Sequence, residues 1–123
     1  MYKRILVGTD GSTTAALAVD RAVEVAAATG ARLTILTADR EERGRKIVDE
    51  VASLHAASGV DIETKVIAGD AASVLIDESE SGGYDLLVVG NKGMTGASRF
   101  FLGSVPNKVS HHAATALLIV RTS

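Results

Sequence analysis

The sequence predicts an α/β fold in which helices cover both faces of a five-stranded parallel sheet. Two observations lead to this prediction. Short apolar runs alternate with helical patterns along the whole 123-residue chain, and 46% of the residues are hydrophobic against 23% charged, as in ordinary globular proteins. Strands that alternate with helices form parallel sheets through right-handed crossovers. The length suits a single domain over residues 1–123.

The first half of the chain contains three strands and two helices. An apolar strand is expected at residues 3–8, and Ser12 caps a helix that extends to Thr29 and stops at Gly30. A second apolar strand follows at residues 32–38. A helix is then expected over residues 40–58, with one apolar face and a stop at the next glycine (Ile47, Val51, Leu54 and Gly59). Residues 62–66 alternate apolar with charged side chains, which indicates a half-exposed strand at one edge of the sheet.

The second half contains two strands and two helices. Asp70 caps a short helix that reaches residue 81, and the apolar run 86–89 is the fourth strand. A last helix is expected over residues 104–112, with Pro106 in its first turn, where the missing N–H costs little. The run 116–120 closes the chain as the fifth strand.

The order 3-2-1-4-5 is the doubly wound arrangement that these elements predict. In it the first and fourth strands are neighbours, and the order reverses between them. Ligands bind at such a reversal, outside the carboxyl ends of the strands. The two most distinctive loops, residues 9–12 and 90–93, follow these two strands. Topology and loop composition therefore predict the same site.

The loop after the fourth strand has the composition of a phosphate-binding segment. Gly90, Gly93 and Gly103 punctuate it, and it leads into a helix at Ser104. Glycines let the backbone approach an anion, and the first N–H groups of a helix lack partners within the helix. Between residues 90 and 112 the chain has three basic residues and no acidic one, although its net charge is -2. This local excess favours an anionic ligand.

The glycine spacing resembles the nucleotide-binding pattern of the universal stress proteins. Two residues separate Gly90 from Gly93, and nine separate Gly93 from Gly103-Ser104. The opening run 5–12 and the final strand agree with the family. The resemblance implies a Rossmann-like fold of the ATP-binding branch, a cytoplasmic location and a sensor or regulatory role. ATP is the expected ligand, AMP, ADP and cyclic AMP stay open, and magnesium would arrive only through the nucleotide.

Backbone N–H groups at Ser104 and Val105 would point at a phosphate, and the Ser104 hydroxyl could donate to it. Ser104 could instead be a simple helix cap. Gly93 would allow close backbone approach or shape an ordinary turn. Family resemblance implies that the residue matching Gly90 lies against the ribose, because a side chain would fill that space.

Thr9, Asp10 and Ala38 complete the predicted site. The resemblance implies that Thr9 and Ala38 border the adenine through backbone groups. It also implies that the loop carrying Asp10 lies along the ribose and adenine, where a carboxylate accepts hydrogen bonds from hydroxyls. Asp10 before Gly-Ser is equally typical of a turn. Lys92 and Arg99 could contact phosphate or be solvated loop charges.

Several classes of function are disfavoured. The chain has no P-loop motif, no Gly-x-Ser-x-Gly motif and no cysteine, and no apolar run approaches the roughly 20 residues of a membrane helix. Two Phe and two Tyr, without a broad basic face, argue against a nucleic-acid polymer as partner. No catalytic residue is assigned. The three histidines (His55, His111 and His112) are not expected to bind metal.

Three hypotheses follow. The first is an adenine-nucleotide sensor, the second a slow magnesium-dependent hydrolase that uses Asp10, and the third a dimerisation module. A homodimer through strand 116–120 is expected, because this edge lacks the charge, proline or bulge that usually protects an edge strand.

One departure from the family concerns the charged stretch 39–45, where many members carry a longer excursion beside the adenine. Either the connection is naturally short or this sequence omits a mobile segment, and both alternatives put base selectivity in doubt while leaving the phosphate half of the site intact.

Overall fold

The described residues form one five-stranded parallel sheet in the order β3-β2-β1-β4-β5, which confirms the predicted fold class and order. The structure is a computed structural model and describes residues 2–91 and 115–121. The strands are β1 (Arg4–Gly8), β2 (Arg32–Ala38), β3 (Ile62–Ile67), β4 (Leu86–Gly90) and β5 (Ala116–Val120). The helices are α1 (Thr13–Thr29), α2 (Glu41–Ser53) and α3 (Ala71–Ser81).

The two faces of the sheet have separate apolar cores. Side chains at odd positions of β1, including Ile5 and Val7, pack beneath α1 and α2 with Val48 of α2. The even-numbered Leu6 packs on the other face with Leu75 of α3. All five of these side chains are at most 1% exposed. Alternation along the strand thus places a hydrophobic surface on each face, and each surface requires a covering helix.

The predicted caps set the ends of α1 and α3. The Ser12 hydroxyl oxygen accepts a hydrogen bond from the Ala15 N–H at 3.1 Å, and Gly30 ends α1 with a left-handed φ of 73°. The Asp70 carboxylate accepts from the Ser73 N–H at 3.1 Å. Each cap supplies a partner to an N–H group that the helix leaves unpaired.

The second helix is shorter than predicted. It ends at Ser53, and Leu54, which the periodicity placed on the buried face, is 74% exposed. Beyond Ser53 the chain continues with bonds between residues three apart, such as His55 N–H to the Ala52 carbonyl at 3.0 Å. Such bonds tighten the chain and rotate later side chains away from the helical face. The prediction of a helix to residue 58 is therefore wrong.

The third strand lies at the edge, as predicted, but its two faces are not distinguished by burial. All six of its residues are half-buried. On one face Gly44 lets α2 approach closely, since a Cβ there would stand 2.4 Å from a Val66 methyl. On the other face Lys65 reaches α3. The helix predicted over residues 104–112 lies outside the described residues.

A polar cluster joins β3, α3 and the start of β4. The Lys65 Nζ and the Tyr84 hydroxyl both donate to the Glu78 Oε2, at 2.7 and 3.1 Å. Tyr84 is 3% exposed, and its ring also lies under the Arg4 guanidinium. Burial raises the pKa of Tyr84. The hydrogen bond to Glu78 raises the pKa of Lys65.

No helix within residues 2–91 and 115–121 combines the length and the apolar character needed to cross a membrane.

Alkaline pH should weaken the fold through this cluster. Lys65 and Tyr84 each have a higher pKa in the folded state than in the unfolded state. The stability that they contribute to the fold is therefore complete below their unfolded pKa values of about 10 to 10.5, and it is lost as the pH rises through their folded pKa values. Tyr84→Phe should lower the free energy of unfolding by about 1 kcal/mol at pH 8 and reduce its decline between pH 9.5 and 11.5. Urea titrations would measure both, with Tyr2→Phe as control. An unchanged decline in Tyr84→Phe would contradict the assignment.

Candidate functional site

A cavity of about 420 Å³ opens at the carboxyl end of β1 and extends between α1 and α2. Its volume lies in the range of roughly 300–1,000 Å³ that is typical of small-molecule sites. The loop of residues 9–12 and Thr13, the first residue of α1, form one end. The helical walls and the turn after α2 contribute apolar side chains at the floor and charged ones at the rim, with the exposed Leu54 at the outer end. The floor is lined by Ala16, Val19, Ile47 and Val51, and the rim by Asp20, Arg43, Glu50 and His55.

The loop after β1 is a hydrogen-bonded turn. The Thr9 N–H donates to the Leu36 carbonyl at 2.9 Å, and the buried Thr9 Oγ1 accepts from the Gly11 N–H at 3.1 Å. The Asp10 Oδ1 accepts from the Ser12 N–H at 2.9 Å. Gly11 has a φ of 82°, a left-handed conformation that favours glycine. These contacts set the path of the backbone from β1 into α1.

The strand register aligns the described members of the predicted site. Val7 pairs with Val88 of β4, and continuing this parallel register sets Thr9 level with Gly90. On the other side Gly8 pairs with Leu36 of β2, and continuing that register sets Asp10 level with Ala38. Since parallel strands end at one edge, the structure brings these predicted residues to the same edge of the sheet.

These residues of the predicted site differ in whether they line the cavity. Thr9 and Asp10 line the cavity. Gly90 is buried and paired with Val120 of β5. Ala38 packs against the core on the α3 face and is not among the residues that line the cavity.

The other predicted residues, Gly93, Gly103, Ser104 and Val105, lie outside the described residues. Lys92, Arg99, His111 and His112 also lie outside them. Their roles stay predictions from the sequence.

The rim of the cavity carries charges of both signs. The Arg43 Nε lies 3.3 Å from the Asp39 Oδ2, and the His55 Nε2 lies 3.2 Å from the Asp20 Oδ1. Glu50 adds a carboxylate. Across residues 2–91 and 115–121, no group of three or more His, Cys, Asp or Glu side chains is placed to hold a metal ion.

Sequence reasoning did not identify the side chains that α2 contributes to this cavity, among them Arg43 and Ile47. Only Asp39 and Arg40 separate the end of β2 from the start of α2. So short a connection requires α2 to begin at the carboxyl edge of the sheet, beside the loop after β1. The short charged stretch was therefore the signal that could have placed α2 at the site.

The chain matches a family of known proteins along almost its whole length. The sequence model described as the Universal stress protein family matches residues 1–45 and 37–121. Universal stress protein YxiE of Bacillus subtilis is 31% identical over 148 residues, with 98% of this chain and 100% of the relative covered. Universal stress protein Rv1636 of Mycobacterium tuberculosis is 33% identical over 144 residues, with coverage of 99% and 98%.

Solved structures agree in fold. A universal stress protein crystallised in complex with cAMP superposes with a TM-score of 0.81 and is 40% identical, covering 99% of this chain and 98% of its own. The crystal structure of Rv1636 from Mycobacterium tuberculosis gives a TM-score of 0.68 at 36% identity, covering 99% and 97%.

The alignments also bear on the connection between β2 and α2. The match to YxiE spans 148 residues and all of that relative, whereas this chain has 123. The two segments matched by the family model overlap at residues 37–45, which include this connection. With coverage, identity and fold in agreement, the chain belongs to the universal stress protein family.

Proposed function

We propose that this chain binds an adenine nucleotide at the carboxyl edge of β1 and β4 and acts as a sensor or regulatory module in the cytoplasm. The observation that carries the proposal is the reversal of sheet order between β1 and β4, with a hydrogen-bonded loop and an open cavity at the same edge. The complex of a 40% identical relative with cAMP supports an adenine nucleotide as the ligand.

ATP is the ligand that the glycine spacing favours, with AMP, ADP and cyclic AMP as alternatives. In the proposed complex the segment that follows Gly90 holds the phosphates through backbone N–H groups at Ser104 and Val105. Gly90, which is buried at the end of β4, would lie against the ribose in this complex, where a side chain would fill the space. Magnesium would accompany the phosphates of the nucleotide.

A slow hydrolase is the second candidate, and Asp10 is the carboxylate that it would use. The Asp10 Oδ1 already accepts a hydrogen bond from the Ser12 N–H at 2.9 Å. In the proposed complex the loop that carries Asp10 lies along the ribose, away from the terminal phosphate. A general base must lie within hydrogen-bond reach of the attacking water. A place beside the sugar therefore favours binding over hydrolysis.

Replacing Gly103 should test the phosphate loop. Gly103→Val should weaken ATP binding at least tenfold, about 1.4 kcal/mol, because a branched side chain would enter the phosphate space. Ser104→Ala should weaken binding less, since the backbone donors remain. Calorimetric titration would measure both affinities. Gly96→Val is the matched control, because Gly96 lies in the same segment but outside the glycine spacing. Equal affinity in folded Gly103→Val and wild type would refute the phosphate site.

Hydrolysis of ATP should be slower than about one turnover per second, the low end for working enzymes. Phosphate release at saturating ATP and magnesium would measure it, and Asp10→Asn should leave the rate unchanged. Faster turnover that is lost in Asp10→Asn would establish the hydrolase instead.

We also propose a homodimer through β5, which is an edge strand of the described sheet. A two-fold axis would pair two β5 strands antiparallel, and Ile119, 41% exposed, would be covered. Leu118→Lys with Ile119→Pro should give a monomer, because the proline removes a ladder donor. Leu118 also packs against the core under α1, so Ile119→Lys alone is the milder variant.

Sedimentation at micromolar concentration would measure this assembly. Leu17→Lys is the control, since Leu17 is a similarly exposed leucine, 46%, on α1. A monomeric wild type, or a dimer that persists in the folded double variant, would contradict the proposal.

A further inference from the structure

We propose that the outer opening of the cavity between α1 and α2 binds a basic amphipathic helix of a partner protein. The apolar side chains of that helix would lie between Leu17 and Leu54, and one of its basic side chains would reach Glu50. The surface belongs to the helices and not to the carboxyl edge of the sheet. The inference therefore goes beyond the proposed function and does not require a bound nucleotide.

Two exposed leucines border this outer opening. Leu54 and Leu17 are two of the three large apolar side chains that are exposed in the described part of the chain, at 74% and 46%. A single exposed leucine is ordinary on a protein surface. Here, however, Leu54 lines the cavity, and Leu17 follows Ala16, which lines it too. The apolar surface thus continues from the floor of the cavity to the outside.

An ion pair sets the two leucines on opposite walls of the opening. The His55 Nε2 lies 3.2 Å from the Asp20 Oδ1, so the turn after α2 is held against α1. Leu17 lies one helical turn before Asp20, and residues three apart are neighbours on a helix surface. Leu54 directly precedes His55, and its side chain is exposed because the chain tightens beyond Ser53. Each wall therefore presents one leucine to a partner.

The shape of the opening fits a helix. Its walls are helical, and Ile47, Val51 and Leu54 follow one another at helical spacing along one wall. Ile47 closes the inner end, since a Cβ on Gly11 would stand 3.2 Å from the Ile47 Cγ2. From Ile47 to Leu54 the wall rises by about 10 Å, or roughly two turns. An amphipathic helix places side chains at positions i, i+3, i+4 and i+7 into a groove of this length.

The charges at the rim favour a basic partner. Arg43 lies beside Asp39, with its Nε 3.3 Å from the Asp39 Oδ2, and His55 is paired with Asp20. Glu50 also lines the cavity, and within residues 2–91 and 115–121 it takes part in no ion pair. A lysine or arginine of the partner would gain this carboxylate, whereas an acidic side chain would be repelled.

Model peptides provide the probe. The first is a fluorescent peptide of about 14 residues, roughly four helical turns, with leucines on one face and lysines on the other. A second has glutamates in place of the lysines, and a third is a scrambled form of the first without an apolar face. Fluorescence anisotropy would measure the affinities. The lysine peptide should bind at least about fivefold more tightly than the other two, and its advantage over the glutamate peptide should shrink as salt is raised.

Matched variants locate the surface. Leu17→Ser and Leu54→Ser should each weaken binding of the lysine peptide about fivefold, because each removes one apolar wall. Ile119→Ser is the control and should leave binding unchanged, since Ile119 is similarly exposed, 41%, but lies on β5 away from the cavity. Glu50→Gln should reduce the preference for lysine over glutamate. Glu42→Gln, exposed on the same helix but outside the cavity, should not.

A wild-type protein that binds none of the peptides would overturn the inference. So would an unchanged affinity in folded Leu54→Ser, or an equal loss in Ile119→Ser. Tighter binding of the glutamate peptide would refute the basic partner. Sedimentation without peptide provides the last check. If Leu17→Ser or Leu54→Ser formed a smaller assembly than the wild type, the opening would be covered by a second copy of this chain, which would also overturn the inference.

Discussion

The central strand β1 is paired on both edges and covered on both faces, and the rest of the molecule is arranged around it. Its side chains Ile5, Leu6 and Val7 are completely buried. Hydrogen bonds to β2 and β4 leave it no free edge within the sheet. At the carboxyl end of β1 the turn of residues 9–12 leads into α1. The reversal of strand order makes this exit the natural place for a ligand.

Close packing of α2 shapes the space beside that exit. Gly44 stands where any side chain would collide with Val66 and Thr37, so α2 lies directly on β2 and β3. The adjacent helix α1 is likewise anchored through Val19, which is wholly buried. Between the two helices the cavity stays open at the rim, with its floor formed by their small and branched side chains. The placement of α1 and α2 therefore has two results: both helices contact the sheet closely, and the cavity between them stays open.

Much of the architecture could be predicted from the sequence, because local signals were strong. Ser12 and Asp70 begin helices through their own side chains, and the apolar runs of β1 and β4 are too uniform for exposed segments. The second helix shows where such signals fail. Leu54 continues the apolar spacing of α2, but the chain has already tightened beyond Ser53 and the side chain is 74% exposed. Periodicity gives the face of a helix and not the residue at which its geometry changes.

The sequence by itself determined the alternation of strands and helices, the order of the sheet and the family, because each depends on patterns that are local in the chain. It also placed Thr9, Asp10 and Gly90 at one edge, since parallel strands must end together. The tertiary structure alone decided that Arg43 and Ile47 of α2 share a cavity with Thr9 and Asp10. These residues are distant in sequence, and their meeting depends on how closely two helices pack on a common sheet, which no local pattern records.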